Sequence, residues 1–79
     1  MEIEVRLFAI LQKHLPPGSS PYSCRLHMGD ESRVMDVLTR LSLPAELPKI
    51  LLVNGVKSGD ETTLKDGDVL SVFPPLGGG

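Results

Sequence analysis

The sequence predicts an α+β domain, one mixed sheet of four to five strands wrapped over one main helix. Three observations lead there. Apolar and polar residues alternate through residues 2–8 and again through 22–28, the period-two signature of strands. Val34, Val37, Leu38 and Leu41 recur at helical spacing and mark one apolar stripe. Asn54-Gly55 separates two short β-rich runs, a strong hairpin signal. Seventy-nine residues suffice for one small core, so residues 1–73 are assigned to the domain and 74–79 to an extended, flexible tail.

In the first strand Ile3, Val5 and Leu7 share one face, and Glu2, Glu4, Arg6 and Phe8 the other. Phe8 is the odd member, a ring among charges. Ala9 to Leu15 suits a short helix with Ile10, Leu11 and Leu15 near one side, stopped by Pro16-Pro17-Gly18. A loop follows through Pro21. Tyr22, Cys24, Leu26 and Met28 then alternate with Ser23, Arg25 and His27, giving a second strand with Cys24 inward. Asp30 to Ser32 offer a cap for the main helix, and Leu43-Pro44 an end. Lys49 to Val53 is β-rich, with Val56-Lys57 beginning the return, and Asp66-Gly67-Asp68 marks a tight turn. The last strand, Val69 to Phe73, is ambiguous in partition: Leu70 and Val72 inward leaves Val69 and Phe73 outward. The helix stripe should pack on Ile3, Val5, Leu7, Cys24, Leu26, Val53, Leu70 and Val72. With a single cysteine, no internal disulfide supplements that layer.

The last strand runs into Phe73-Pro74-Pro75-Leu76-Gly77-Gly78-Gly79. Pro74 and Pro75 have no backbone donor and hold φ near the polyproline value, so the chain must leave the sheet as a stalk. Six residues reach at most about 20 Å. Such a slim rod can thread a terminal carboxylate into another protein's active site, which makes Gly79 the candidate reacting group. Terminal glycines also suit a disordered end or a cloning remnant, but Phe-Pro-Pro-Leu reads as a designed exit from a strand.

Autonomous catalysis finds little support. No serine, histidine and carboxylate form a nucleophile motif. His14 and His27 fall on separate elements and the one cysteine is expected buried, which argues against a zinc set and leaves no metal ligands assigned. Gly55, Gly59 and Gly67 sit in turns, not in a phosphate loop. Asp60, Glu61, Asp66 and Asp68 read as solvated turn residues. A net charge of −2 with scattered basic residues argues against nucleic acid. The N-terminal residues lack a signal-peptide pattern and no run approaches the roughly 20 apolar residues of a membrane span. A cytoplasmic protein with no membrane partner is expected.

Val-Arg-Leu-Phe-Ala at 5–9, Leu-Val-Asn-Gly at 52–55, Leu-x-Asp-Gly-Asp at 64–68 and Phe-Pro-Pro-Leu-Gly-Gly-Gly at 73–79 together resemble the MoaD/ThiS sulfur-carrier family. Its members are ubiquitin-like β-grasp proteins. The likeness spans the chain in matching order, and the Asp-Gly-Asp followed by the Phe-Pro-Pro-x-x-Gly-Gly ending is its most specific part.

The resemblance implies a carrier, not an enzyme. A ubiquitin-activating-type adenylyltransferase would adenylate the Gly79 carboxylate, and a sulfur donor would displace AMP to leave a thiocarboxylate. Gly77 and Gly78, with Leu76, Pro75 and Pro74, would form the inserting tail. No cofactor would be held by this chain; ATP and Mg²⁺ would belong to the activating partner. In a β-grasp sheet the first and last strands lie side by side. Phe8 and Phe73 would then meet on the face away from the helix as a partner-binding patch, extended by Ile50 and Leu52. Packing of Phe8 against the short helix is the alternative. Phe-Pro-Pro and the longer N-terminal half favour the molybdopterin type, the small subunit of molybdopterin synthase, which delivers sulfur inside a large catalytic subunit. The triple glycine resembles some thiamine-type carriers, and Lys57 replaces an apolar residue common beyond the Asn turn. Sulfur carriage for thiamine, cysteine or a tungsten cofactor therefore stays open, as does a ubiquitin-like modifier joined to lysines.

Overall fold

The computed structural model describes residues 1–75. Within them, β1 (Glu2–Leu7), β2 (Ser23–His27), β3 (Ile50–Val53), β4 (Val56–Ser58) and β5 (Val69–Phe73) form one mixed sheet in the order β2-β1-β5-β3-β4. β1 and β5 run parallel; the other neighbours are antiparallel. The helix α1 (Val34–Arg40) supplies the second layer. This is the expected ubiquitin-like β-grasp architecture, with the first and last strands adjacent at its centre.

The core follows from the alternation. Ile3, Val5 and Leu7 of β1 and Leu70 and Val72 of β5 are buried in one cluster with Val34, Val37, Leu38 and Leu41. Leu70 and Val72 face inward, which resolves the partition of β5. Leu26 is buried as expected, whereas Cys24 and Val53 are only partly covered. Leu43, Leu51 and Leu64 join from outside the expected set.

The short helix differs from expectation. It is a 3-10 helix, Ala9–His14, in which Leu11 is buried while Ile10 is 69% exposed. Three residues per turn align positions 8, 11 and 14 instead of 10 and 11 with 15. Ile10 is thereby turned away from the core.

Both ends of α1 also differ. The start is not capped by Asp30 to Ser32: the Arg33 amide donates to Asp36 Oδ2 at 2.8 Å. The Val34 and Met35 amides donate to the carbonyls of Thr62 and Asp60, so a neighbouring loop satisfies the orphan donors. At the other end, Ser42 takes a left-handed φ of 61°. The Leu43 amide bonds the Leu38 carbonyl, and the Ser42 amide that of Thr39. This is a Schellman closure, so the helix has stopped before Leu43-Pro44 is reached.

Asp66 and Asp68 are more than solvated turn residues. Asp66 Oδ1 accepts the Glu2 amide at 2.7 Å, and Gly67, at φ 87°, donates its amide to the Glu2 carbonyl. Asp68 uses one carboxylate oxygen to close its own turn on the Lys65 amide and the other to accept from Asn54 Nδ2. Asn54 Oδ1 in turn accepts the Val69 amide at 2.9 Å. Asn54 and Gly55 both have positive φ, as a two-residue hairpin requires. The Asn-Gly and Asp-Gly-Asp motifs are therefore one hydrogen-bonded clasp. It ties the β3–β4 hairpin and the start of β1 to the beginning of β5, the strand that leads to the tail.

Candidate functional site

β5 delivers the chain to Pro74 from the middle of the sheet. Leu7 stands opposite Val72, and the Phe8 amide continues the ladder by donating to the Val72 carbonyl. With Leu7 and Val72 buried beneath, alternation puts Phe8 and Phe73 on the outer face. Their rings stack with centroids 4.3 Å apart and 4° between planes. The helix-packing alternative for Phe8 is thus replaced by a cross-strand pair. Ile50, half-buried, stands opposite Phe73 in the β3–β5 register.

Tyr22 adds a third ring. Expected on the inward face of the second strand, it instead precedes β2, is 47% exposed, and stacks on Phe8 at 5.9 Å. Its carbonyl still accepts the Leu7 amide at 2.8 Å, but Tyr22 stands just outside the regular strand and its ring packs on Phe8. An aromatic placed directly after a proline at the head of a strand was the available signal.

Along the outer face the patch ends abruptly. In the next row Leu52 stands opposite Ser71, Ser71 opposite Arg6 and Arg6 opposite Ser23. Arg6 Nε is 2.6 Å from Glu4 Oε2, and that bond, with the carboxylate's charge, raises the guanidinium pKa. The aromatic end is thus apolar, Leu52 carries an apolar side chain on into the next row on β3, and Arg6 with Glu4 makes the β1 side ionic. A surface so divided can seat an apolar partner group and fix its orientation.

Catalytic chemistry has little to work with here. Burial pushes the Cys24 thiol pKa up, which keeps it protonated and poorly nucleophilic at neutral pH. Among the described residues no group of three or more His, Cys, Asp or Glu could hold a metal ion. None of their helices is long and apolar enough to cross a membrane. Pro74 and Pro75 are half-buried at the base of the tail. The candidate residues Leu76, Gly77, Gly78 and Gly79 lie outside the described residues.

The family model described as ThiS family matches residues 5–79. The chain belongs to the ThiS family. Members of this family are small carrier proteins and not catalysts. No curated protein matches this ThiS-family chain. Among solved structures it is similar to the Haloferax volcanii HVO 2177 protein, at 34% identity and a TM-score of 0.78, over 100% of this chain and 87% of that one. It is similar over the full length of both chains to SAMP1 of Haloferax volcanii, at 26% identity and a TM-score of 0.77. A chain from the Helicobacter pylori complex of subunits 1 and 2 of molybdopterin-converting factor also matches end to end, at 25% identity and a TM-score of 0.65.

Proposed function

We propose that this chain carries sulfur for molybdopterin synthesis on the carboxylate of Gly79. The observation that carries this reading is the position of Phe73-Pro74-Pro75: the central strand of a ThiS-family fold runs past an outer aromatic patch and straight into the Leu-Gly-Gly-Gly ending. In the first step a carboxylate oxygen attacks the α-phosphorus of ATP held with Mg²⁺ by a ubiquitin-activating-type adenylyltransferase, and pyrophosphate leaves. A carboxylate resists acyl transfer until one oxygen becomes part of a good leaving group, which the mixed anhydride supplies. Hydrosulfide released by a donor then attacks the acyl carbon, the bond from that carbon to the AMP oxygen breaks, AMP departs, and loss of the sulfur's proton leaves the thiocarboxylate. Gly77, Gly78 and Gly79 bring no side chain into the cleft that must close around this chemistry. The likeness to a chain from a complex of the two molybdopterin-converting subunits supports a large catalytic subunit as the acceptor of the loaded tail.

The likeness to SAMP1, a small archaeal modifier protein, favours a second reading. Activation would be the same, with a lysine amine in place of sulfur as acceptor. Intact mass of the untagged chain from its native cells separates the two. A fraction heavier by one oxygen-to-sulfur exchange, mapped to Gly79 and absent without the activating enzyme, is expected. A chain found always as free carboxylate or as lysine-linked adducts would overturn sulfur carriage.

The aromatic patch is the proposed docking surface. Phe8→Ala is expected to weaken binding of the adenylyltransferase by about 2 kcal/mol or more, as loss of a central aromatic anchor does. Folding should lose only about 1 kcal/mol, the scale of the stacked pair. Calorimetric titration beside a urea melt decides, and unchanged affinity would retire Phe8 as a partner contact.

A further inference from the structure

Beside the base of the tail lies an apolar groove of about 310 Å³ to which three separate segments contribute. Pro74 and Pro75 come from the end of β5, Leu47 and Pro48 from the loop before β3, and Ala9 and Ile10 from the 3-10 helix. No charged side chain lines it. Ile10 is the most exposed large apolar residue among those described, at 69%. It belongs neither to the core nor to the aromatic stack.

We infer that this groove is a second docking point, taken by an apolar side chain of the adenylating enzyme that receives the tail. The inference rests on the activation chemistry proposed above. Four residues separate Pro75 from the end of the sequence, so a group reacting at Gly79 lies within about 14 Å of Pro75. Even a domain of about 100 residues has a radius of gyration of about 13 Å, and an ATP-binding enzyme is larger. A body of that size cannot close around Gly79 without descending on Pro74, Pro75 and the ground beside them. That ground is the groove. Water trapped there against the two prolines, Leu47 and Ile10 would find few hydrogen-bond partners, so an apolar occupant is favoured.

The geometry also gives the groove a role distinct from the Phe8–Phe73 stack. The aromatic patch sits on the outer face of the sheet, whereas the groove flanks the stalk itself. Contact at both sites would hold the domain to the enzyme on two surfaces near the base of the tail, and so add affinity.

The test is ATP–pyrophosphate exchange by the adenylyltransferase of the same organism, with the full-length chain varied as substrate. Ile10→Ser is expected to raise the KM for this chain about tenfold, the loss typical of an interface anchor, with kcat and Tm unchanged. Val56→Ser serves as reference. Val56 is equally exposed, at 67%, but lies at the far end of the hairpin from Ile50 and Pro74, and its KM should stay that of the parent chain. Equal KM for Ile10→Ser and the parent, or an equal rise for both variants, would overturn the groove while leaving the activation reading standing. Absence of exchange with the parent chain would overturn the activation reading, and the groove's occupant with it.

Discussion

A chain lacking Gly78 and Gly79 is expected to lose adenylation completely and to melt with the parent chain. Removing two residues draws the terminal carboxylate back by about 7 Å along an extended stalk. Misplacement of a reacting group by only 1 Å can cost about a hundredfold in rate, so a retreat several times larger leaves nothing to measure above background. No compensation is available from the body, because Pro74 and Pro75 hold the stalk's φ angles and the clasp of Asn54 and Asp68 fixes the start of the strand that feeds it. The core residues, from Ile3 to Val72, all precede the deletion. Pyrophosphate exchange and a urea melt on the same preparation test both halves. Adenylation at the parent rate would show that Gly79 is not the acyl donor and that the length of the tail does not position the reacting carboxylate.

That prediction rests on residues whose reading needs no fold. Proline and glycine act through backbone geometry alone, so Phe-Pro-Pro-Leu-Gly-Gly-Gly is read as a stalk without reference to tertiary contacts, and the structure describes that segment through Pro75. Strict alternation in residues 2–8 and the stripe from Val34 to Leu41 are likewise local, and they gave the two layers of the core. The pairing of Phe8 with Phe73 followed once the family resemblance placed the first and last strands side by side. What stayed hidden depended on distant partners or on helix type. Ile10 turns outward because the segment winds with three residues per turn, which its composition does not distinguish from an α-helix. Asp66 and Asp68 looked like solvated turn residues because their acceptors' partners, the Glu2 amide and the Asn54 side chain, lie far away in sequence. The helix end was assigned to Leu43-Pro44, whereas Ser42 closes it in a left-handed conformation more typical of glycine.

Leu38→Ala is expected to destabilise the domain by about 2–5 kcal/mol, the cost of emptying a buried leucine site. Leu38 is 4% exposed and lies in the middle of the stripe that α1 sets against the sheet. Its carbonyl also accepts the Leu43 amide at the helix end, so the surrounding backbone is held and collapses poorly into the space. A domain of this length has about 4–12 kcal/mol of stability in total, and its one cysteine is free, so no disulfide supplements the core. The variant therefore forfeits about a sixth at the least of what holds it together, and its Tm should fall by about 8 °C or more. Met35→Ala, one turn earlier and 44% exposed, is expected to stay within about 0.5 kcal/mol of the parent chain. Urea melts of the two variants compare burial on one helix. The Phe8–Phe73 pair lies on the other face of the sheet, so the folded fraction of Leu38→Ala should still be adenylated with the parent KM. A loss below about 2 kcal/mol would mean that α1 does not seal the sheet at Leu38; a raised KM in the folded fraction would mean that the helix layer helps set the stalk.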